Sequence, residues 1–454
     1  MDEIYGLDFG TSNSSIAVQQ HGYVRALPVD PSAPNPAVAS SVLFVDQAGG
    51  SFIGSEAIRL FVEKNTGRKI VKRRVASGKL IDTVYGQEFV QFDADVDLPG
   101  RFFQAIKSSL SNELFEGTDV FGSFCTIEEL TARILRQLKS RADSILIKEV
   151  DRVVMGRPVY FSSDPKQDAL AQTRLEQAAR LAGFKEIRFL FEPIGAALAY
   201  EEELRREEIA FVFDFGGGTL DFTVVRLGPH HVHRADRMQD ILAVGGLPIG
   251  GNTFDEEIME KQLMKYFGAD YSGATMSGVN INLPYWILAQ LRSWYTIPLL
   301  NERDTLRFLN ELKAAATRGR RELSALLTLV ENNYGWGLFE EIEKAKISLS
   351  RDHEAELSFH KENIEIDEFM TRRRFESIIS SHLHSISEAI DGTLQQAGLA
   401  PADVDVVIRT GGSSLIPAVQ NLLENKFEAE KVNRGDVFTS VVKGLALAGT
   451  SRFS

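Results

Sequence analysis

Asp8-Phe9-Gly10-Thr11-Ser12-Asn13-Ser14, close to the amino terminus, and Asp214-Phe215-Gly216-Gly217-Gly218-Thr219-Leu220-Asp221, in mid-chain, carry one pattern twice, about 200 residues apart. An apolar run leads into each motif and another leads out: Ile4 to Leu7 and Ser15 to Val18 around the first, Ile209 to Phe213 and Phe222 to Leu227 around the second. Each glycine turn is therefore expected to join two strands of a hairpin. Glycine lets backbone come close to a phosphate, and successive N–H groups in such a turn form an anion nest. A carboxylate at the head of the turn would repel phosphate, so it is read as holding a divalent cation through water. Either motif alone reads first as a tight turn whose Asp and Thr satisfy local backbone. The duplication, with hydroxyls read at matching places in Thr11 and Thr219, favours a nucleotide gripped between two similar halves.

The chain has 454 residues, is 44% hydrophobic and carries a formal net charge of −13. It is long enough to bury the cores of two or more domains. The negative balance gives no field to steer it to nucleic acid or anionic lipid, so neither is an expected partner. Basic clusters at Arg68, Lys69, Lys72, Arg73, Arg74 and at Arg372, Arg373, Arg374 are read as solvated faces. The single cysteine, Cys125, excludes an intramolecular disulfide and a multi-cysteine metal site, which suits a reducing compartment. Met1-Asp2-Glu3 has neither the basic nor the apolar region of a secretion signal, and no run approaches membrane-spanning length. A cytoplasmic location is the expectation.

Helical and strand patterns alternate along the chain. Thr126 and Glu129 have capping-box spacing ahead of a helix with Leu130, Ile134, Leu138 and Ile145, followed by a strand Val153 to Met155. A polar helix from Lys166 to Leu181 stops at Gly183, and a strand Ile187 to Phe191 follows. Glu192 and Pro193 stand at the carboxyl end of that strand, where open α/β sheets place ligands. Later, a helix from Phe375 to Gln396 ends at Gly398, a strand runs from Val404 to Ile408, and Gly411 and Gly412 turn into a helix from about Ile416. His230, His231 and His233 follow Gly228 and Pro229 at a hairpin and are read as a solvated turn rather than a metal site.

Gly6 to Ser14 resembles the first phosphate motif of the actin, sugar-kinase and Hsp70 superfamily, and Asp214 to Asp221 resembles the second. The other segments are similar to the Hsp70 branch. Phe191-Glu192-Pro193-Ile194-Gly195-Ala196-Ala197-Leu198-Ala199-Tyr200 resembles its connecting motif, and Val159-Tyr160-Phe161, Gly250 to Asp255, Glu343 to Ser350 and Gly411 to Pro417 follow in the family's order. The resemblance covers nearly the whole chain and extends to the short bacterial homologues of the YegD type. It implies a two-lobed actin-like α/β ATPase fold, made of duplicated ribonuclease H-like domains with a nucleotide cleft between the lobes. Residues 1–207 would form the first lobe, with the first phosphate and connecting motifs. Residues 208–430 would form the second, with the second phosphate and adenosine motifs and an enlarged subdomain at about 255–340. Residues 431–454 would be a helix returning to the first lobe, with no peptide-binding domain following.

The resemblance also implies roles. Asp8 and Asp214 would hold magnesium through its waters, with Asp221 close to the bound cations, potassium among them. Glu192 would orient water near the metal, and Lys107 would stabilise the attacking water and the γ-phosphate. Gly10, Thr11, Ser12 and Asn13 would cradle the β- and γ-phosphates of ATP or ADP, and Thr219 would touch the γ-phosphate. Gly216, Gly217, Gly250 and Gly251 would bring backbone against them. Glu343 and Lys346 would bond the ribose, with Gly412 and Ser350 at ribose and adenine. Such a set suits phosphoryl transfer, which needs positioning and charge neutralisation more than covalent chemistry. Taken singly, Lys107 reads as a surface lysine and Glu192 as a residue placed favourably at a helix start.

Where the family sandwiches adenine between two arginines, this chain has Ile347 and Leu415. Loss of stacked guanidinium, worth about 1–2 kcal/mol, implies weaker or less adenine-selective binding. All three tryptophans, Trp286, Trp294 and Trp336, fall between Asn252 and Glu343, which is read as core packing of the enlarged subdomain or as a surface for a protein partner. The expected activity is slow ATP hydrolysis with lobe closure as its output, in a chaperone-like protein. Two alternatives stand beside it: a small-molecule kinase of the same superfamily, and a non-hydrolysing ATP-gated scaffold or actin-like filament former.

Overall fold

The computed structural model describes residues 3–20, 22–68, 72–83, 86–95, 97–231, 234, 236–274, 280–432 and 437–452, with backbone course alone at 72–95, 274, 280 and 450–452. The chain divides into two compact units, one of Met1–Leu60, Arg101–Thr253 and Ile379–Ser454, the other of Phe61–Gly100 and Phe254–Ile378.

Both glycine motifs lie in the first unit, and each closes a hairpin. Ile4–Phe9 pairs antiparallel with Asn13–Gln20, and Glu208–Phe215 pairs antiparallel with Leu220–Leu227. Apolar residues face inward along all four strands because each is buried on both faces; Phe9, Ile16, Phe213 and Phe222 are at most 1% exposed. The surrounding strands repeat the plan. Tyr23–Ala26 runs antiparallel beside the second strand of one hairpin and Ile241–Leu247 beside that of the other. Arg152–Arg157 lies parallel beside the first strand of one and Val406–Thr410 beside that of the other, with Glu186–Phe191 extending the first sheet. Two sheets of one strand order make the duplicated α/β fold of the actin-like ATPases.

Helices form where the sequence provides caps. Ile127–Leu146 opens on a capping box between Thr126 and Glu129 and packs Ile134, Leu135 and Leu138 into the first core. Pro165–Leu181 starts on the Asp164 carboxylate, which accepts from Lys166 N at 2.8 Å. Two expectations shift. The helix expected over Phe375 to Gln396 is interrupted: Arg372–Ile378 and Ser380–Gln396 are separate, because the buried Ile379 leaves helical geometry at ψ 4°. The strand expected from Val404 begins at Val406, since Pro401–Asp403 is a short 3-10 turn whose Asp403 carboxylate accepts from Ala400 N at 2.8 Å.

A second core joins the two sheets: Ile4, Val154 and Leu190 from one and Val212, Val225 and Ile408 from the other, with Ile194 and Leu445 between them. Leu445 belongs to the helix Ser440–Arg452, which lies so close to Ile4–Phe9 that a Cβ on Gly6 would stand 2.3 Å from Ala446 N.

The second unit holds the hairpin Glu354–Lys361 and Ile364–Thr371, a small sheet of Ser272–Ala274, Asn280–Ile281 and Ala316–Arg318, and the helices Arg303–Ala314, Arg320–Glu331 and Gly335–Leu349. Trp294 packs edge-to-face on Trp336 at 4.8 Å and on Phe61 at 5.8 Å, while Trp286 stacks on Phe308 and stays 48% exposed. Among the described residues no helix is long and apolar enough to cross a membrane.

Candidate functional site

The two glycine turns close with the same hydrogen bond. Gly10 N donates to Asn13 O and Gly216 N to Thr219 O, each at 3.0 Å. With Asp8 opposite Ser15 and Asp214 opposite Asp221 in the ladders, the register pairs Asn13 with Thr219 and Thr11 with Gly217. The expectation that Thr11 and Thr219 occupy matching places is therefore corrected. Two extra glycines in the second motif invite a glycine-to-glycine alignment, but the turn is set by its closing bond.

The turns face one another. A Cβ built on Gly217 would stand 3.1 Å from Ser12 Cβ, and one on Gly218 would stand 3.0 Å from Ser12 Oγ. The Gly250 turn seals the far side of the second motif. Gly251 N donates to Gly216 O at 3.1 Å and Asn252 N to Gly217 O at 2.9 Å. Any side chain on Gly250 would meet backbone, since its Cβ would lie 2.2 Å from Gly217 O. A third glycine turn leans on the same motif: Ser413 Oγ donates to Gly216 O at 3.0 Å, and a Cβ on Gly411 would stand 2.2 Å from Phe215 O.

Charged residues converge between the turns. Lys107 lies on the 3-10 turn Ile106–Ser109, entered through Ala105 in the left-handed region at φ 51°, and is 9% exposed. Its Nζ donates to Glu192 Oε1 at 2.7 Å. Glu192 opens the helix Glu192–Glu201 and fits there because Gly156 lacks a side chain; a Cβ on Gly156 would be 3.0 Å from Glu192 Cγ. Asp8 and Asp214 are partly buried. Burial drives the Asp8 carboxyl well above the ordinary carboxylate range, Glu192 and Asp214 add repulsion, and Lys107 pulls it back. Burial, reinforced by Asp221 and Glu192, lifts Asp214 to about 6. Asp221 shifts upward for the same first reason and accepts from Thr219 Oγ1 at 3.0 Å. Lys107 stays protonated: burial opposes its charge, but Glu192 and Asp8 outweigh that. A cavity of about 40 Å³ adjoins the carboxylates, lined among others by Tyr160, Glu192, Asp214, Asp221 and Thr410, and is large enough for water.

The carboxylates outnumber the one lysine, and their raised affinity for protons marks a site short of positive charge. Among the described residues no three His, Cys, Asp or Glu side chains come close enough to ligate one ion directly. A divalent cation therefore fits this site only with most of its ligands supplied by water and by what it accompanies.

The remaining candidates lie apart in the chain. Leu415 ends the 3-10 turn Gly412–Leu415 in the first unit, its carbonyl accepting from Gln420 Nε2 at 3.0 Å. Glu343, Lys346, Ile347 and Ser350 form one stripe, at helical spacing, along and just past Gly335–Leu349 in the second unit. There Lys346 is paired with Asp255 at 2.7 Å, and burial lifts Asp255 to about 6 although Lys346 opposes the shift.

The histidine turn is corrected. His231 is only 2% exposed, its Nδ1 2.6 Å from Asp240 and its Nε2 2.9 Å from Glu207. Asp240 also bonds Arg237 and Arg234, and Arg237 makes a two-pronged pair with Glu201 at 2.8 and 2.9 Å. This buried network ties the carboxyl end of the Glu192–Glu201 helix to the 228–240 segment. Its sequence signals, scattered charges around a His-rich turn, are those of a solvated loop, and only three-dimensional pairing makes their burial tolerable. His230 is exposed, and His233 lies outside the described residues.

Two sheets of one plan with opposed glycine turns, and with carboxylates and a buried lysine beside them, define a protein of the actin-like class. A family model described as Hsp70 protein matches residues 4–276 and 331–450, and the chain belongs to the Hsp70 family. It is similar to the chaperone protein dnaK of Cyanidium caldarium, 24% identical over 461 residues, covering 99% of this chain and 61% of that protein. It is 25% identical over 423 residues to the chloroplastic heat shock 70 kDa protein 6 of Arabidopsis thaliana, covering 93% of this chain and 48% of that protein. The dnaK of Cyanidioschyzon merolae is 26% identical over 455 residues, with 99% of this chain and 62% of that protein covered. The chain thus spans about half to three fifths of the length of the relatives it matches.

Proposed function

We propose that this chain is an Hsp70-like ATP-binding protein that hydrolyses ATP slowly and uses closure of its two lobes, residues 1–207 and 208–430, to signal to a protein partner in a chaperone-like role. The observation that carries the reading is the Lys107–Glu192 pair, 2.7 Å long with side chains 9% and 14% exposed, set beside Asp8 and Asp214 at the heads of two opposed glycine turns. Opposed turns suit a triphosphate, and a lone protonated lysine among carboxylates suits charge that develops on a transferring phosphoryl group.

In this reading Thr11, Ser12 and Asn13 hold the β- and γ-phosphates from one side, and backbone at Gly216, Gly217, Gly250 and Gly251 approaches from the other. Asp8 and Asp214 would hold magnesium through its waters, with Asp221 close to the bound cations. The ion, when bound, neutralises phosphate charge and polarises the γ-phosphate. Glu192 orients a water from the adjoining cavity, and Lys107 stabilises that water and the γ-phosphate. The water oxygen forms the new P–O bond as the bridging P–O bond breaks, leaving ADP and inorganic phosphate. Glu343, Lys346, Ile347 and Ser350 are assigned to ribose and base, with Gly412 and Leu415. The partner is assigned to the 255–340 region, where Tyr285 is 74%, Leu299 56% and Trp286 48% exposed.

ADP release from Mg·ATP in potassium buffer, with Asp214→Asn and Lys107→Ala beside the unaltered chain, tests the proposal. Both variants are expected to lose at least about a hundredfold in turnover. Equal turnover in all three sinks the assignment. Binding without turnover points to the scaffold or to a kinase lacking its acceptor. In the same preparations, a photo-crosslinker at Trp286 should capture a discrete protein whose yield differs between ATP and ADP; equal yields remove the partner face.

A further inference from the structure

Phe438 is a half-exposed phenyl ring, 48% accessible, between Val437 and Thr439, which are 6% and 7% accessible. The segment is held by a backbone bond from Gly411 N to Val437 O at 2.8 Å. The ring rests on the next glycine: a Cβ on Gly412 would lie 3.0 Å from Phe438 Cε1 and 3.6 Å from Cζ. Gly411 in turn abuts Phe215 and Gly216 of the second phosphate turn, its would-be Cβ 2.9 Å from Gly216 N, and its φ of 77° is one that favours glycine. One two-residue turn thus touches the phosphate-turn backbone with its first glycine and an aromatic face with its second.

Single exposed apolar residues are common on surfaces. This one differs because it is anchored by backbone, rests on a residue that lacks a side chain, and lies across that turn from a phosphate cradle. Because Gly411 and Gly412 are adjacent, the phosphate turn and the ring rest against one two-residue turn, within the reach of a single nucleotide. Phenyl faces bind the faces of bases and read none of their edges.

We infer that Phe438 is the stacking platform for the base of a bound purine nucleotide, one that does not discriminate adenine from guanine. The inference rests on the nucleotide reading of the site. Leu415, on the same 3-10 turn as Gly412, is apolar and has no side-chain hydrogen-bonding group.

Titrations of Mg·ATP and Mg·GTP into the unaltered chain, Phe438→Ala and Phe438→Trp test it. Phe438→Ala should weaken both nucleotides by about tenfold, the scale of one lost base–aromatic stack. Phe438→Trp should keep both affinities, with indole emission that changes as nucleotide is added. Unchanged binding in Phe438→Ala overturns the inference and leaves the nucleotide reading standing. Equal weakening in Phe438→Trp also overturns it, because a larger ring should stack as well. So does a loss confined to one base. If neither nucleotide binds the unaltered chain, the nucleotide reading itself fails.

Discussion

The two glycine turns share a frame and differ in what fills it. Asp8 and Asp214 head hairpins of the same register, closed by the same bond from the glycine two residues on. Between those fixed points the first turn carries Thr11 and Ser12, and the second carries Gly217 and Gly218. Ser12 packs into the space that the second turn leaves open. The pair is complementary, not merely repeated: one side supplies hydroxyls and an amide, and the other supplies bare backbone that can be approached closely. In the proposed phosphate clamp that asymmetry keeps open a space that side chains on both faces would fill.

Breaking the bare side should have the largest effect. Gly250→Ala sets a methyl group 2.2 Å from Gly217 O and 2.5 Å from Gly218 N, backbone atoms that cannot yield without moving the turn. A cost of about 1–3 kcal/mol in denaturant unfolding is expected, together with loss of nucleotide binding. A variant with unchanged midpoint and binding would show that the second turn is not held rigidly.

The carboxylate heads can be separated by pH. Asp214 titrates at about 6 in the folded protein against 3.8 for a free carboxyl. Its folded value is raised, so the folded state binds the proton more tightly, and free-protein stability falls as pH rises from about 4 to about 6. Asp214→Asn removes that fall. At pH 7 without metal or nucleotide, the variant should be more stable by on the order of 1–3 kcal/mol, and the gap should shrink towards pH 4. Urea midpoints at both pH values decide it; a variant weaker at both would mean that the carboxylate is already balanced in the free protein.

The filled side should show the smallest effect. Ser12→Gly leaves the turn's backbone in place and costs about 0.5–1 kcal/mol through chain entropy. Turnover should drop less than tenfold if backbone groups hold the phosphates, and a larger drop would assign that work to the Ser12 hydroxyl.

Much of the frame was legible in the sequence because it depends on local chemistry. The capping box at Thr126 and Glu129 and the glycine-ended helix before Gly183 each follow from a few adjacent residues. The pairing of two like glycine turns was legible through repetition. Long-range pairing was not. Lys107 by itself reads as a surface lysine, and only its contact with Glu192, 85 positions away, explains its burial. His231 reads as a loop residue until Asp240, Glu207 and Arg237 close around it.

By itself the sequence determined that two carboxylate-headed glycine turns exist, which strands and helices flank them, and that the chain resembles the Hsp70 family, because these depend on neighbours within a few positions. Tertiary structure decided the register that matches Thr219 to Asn13, the fit of Ser12 against Gly217 and Gly218, and the burial of Lys107 and His231 among charges. It also placed the Phe438 ring on Gly412. Those features come from close approach between segments far apart in the chain, and such contacts are set by packing rather than by local preference.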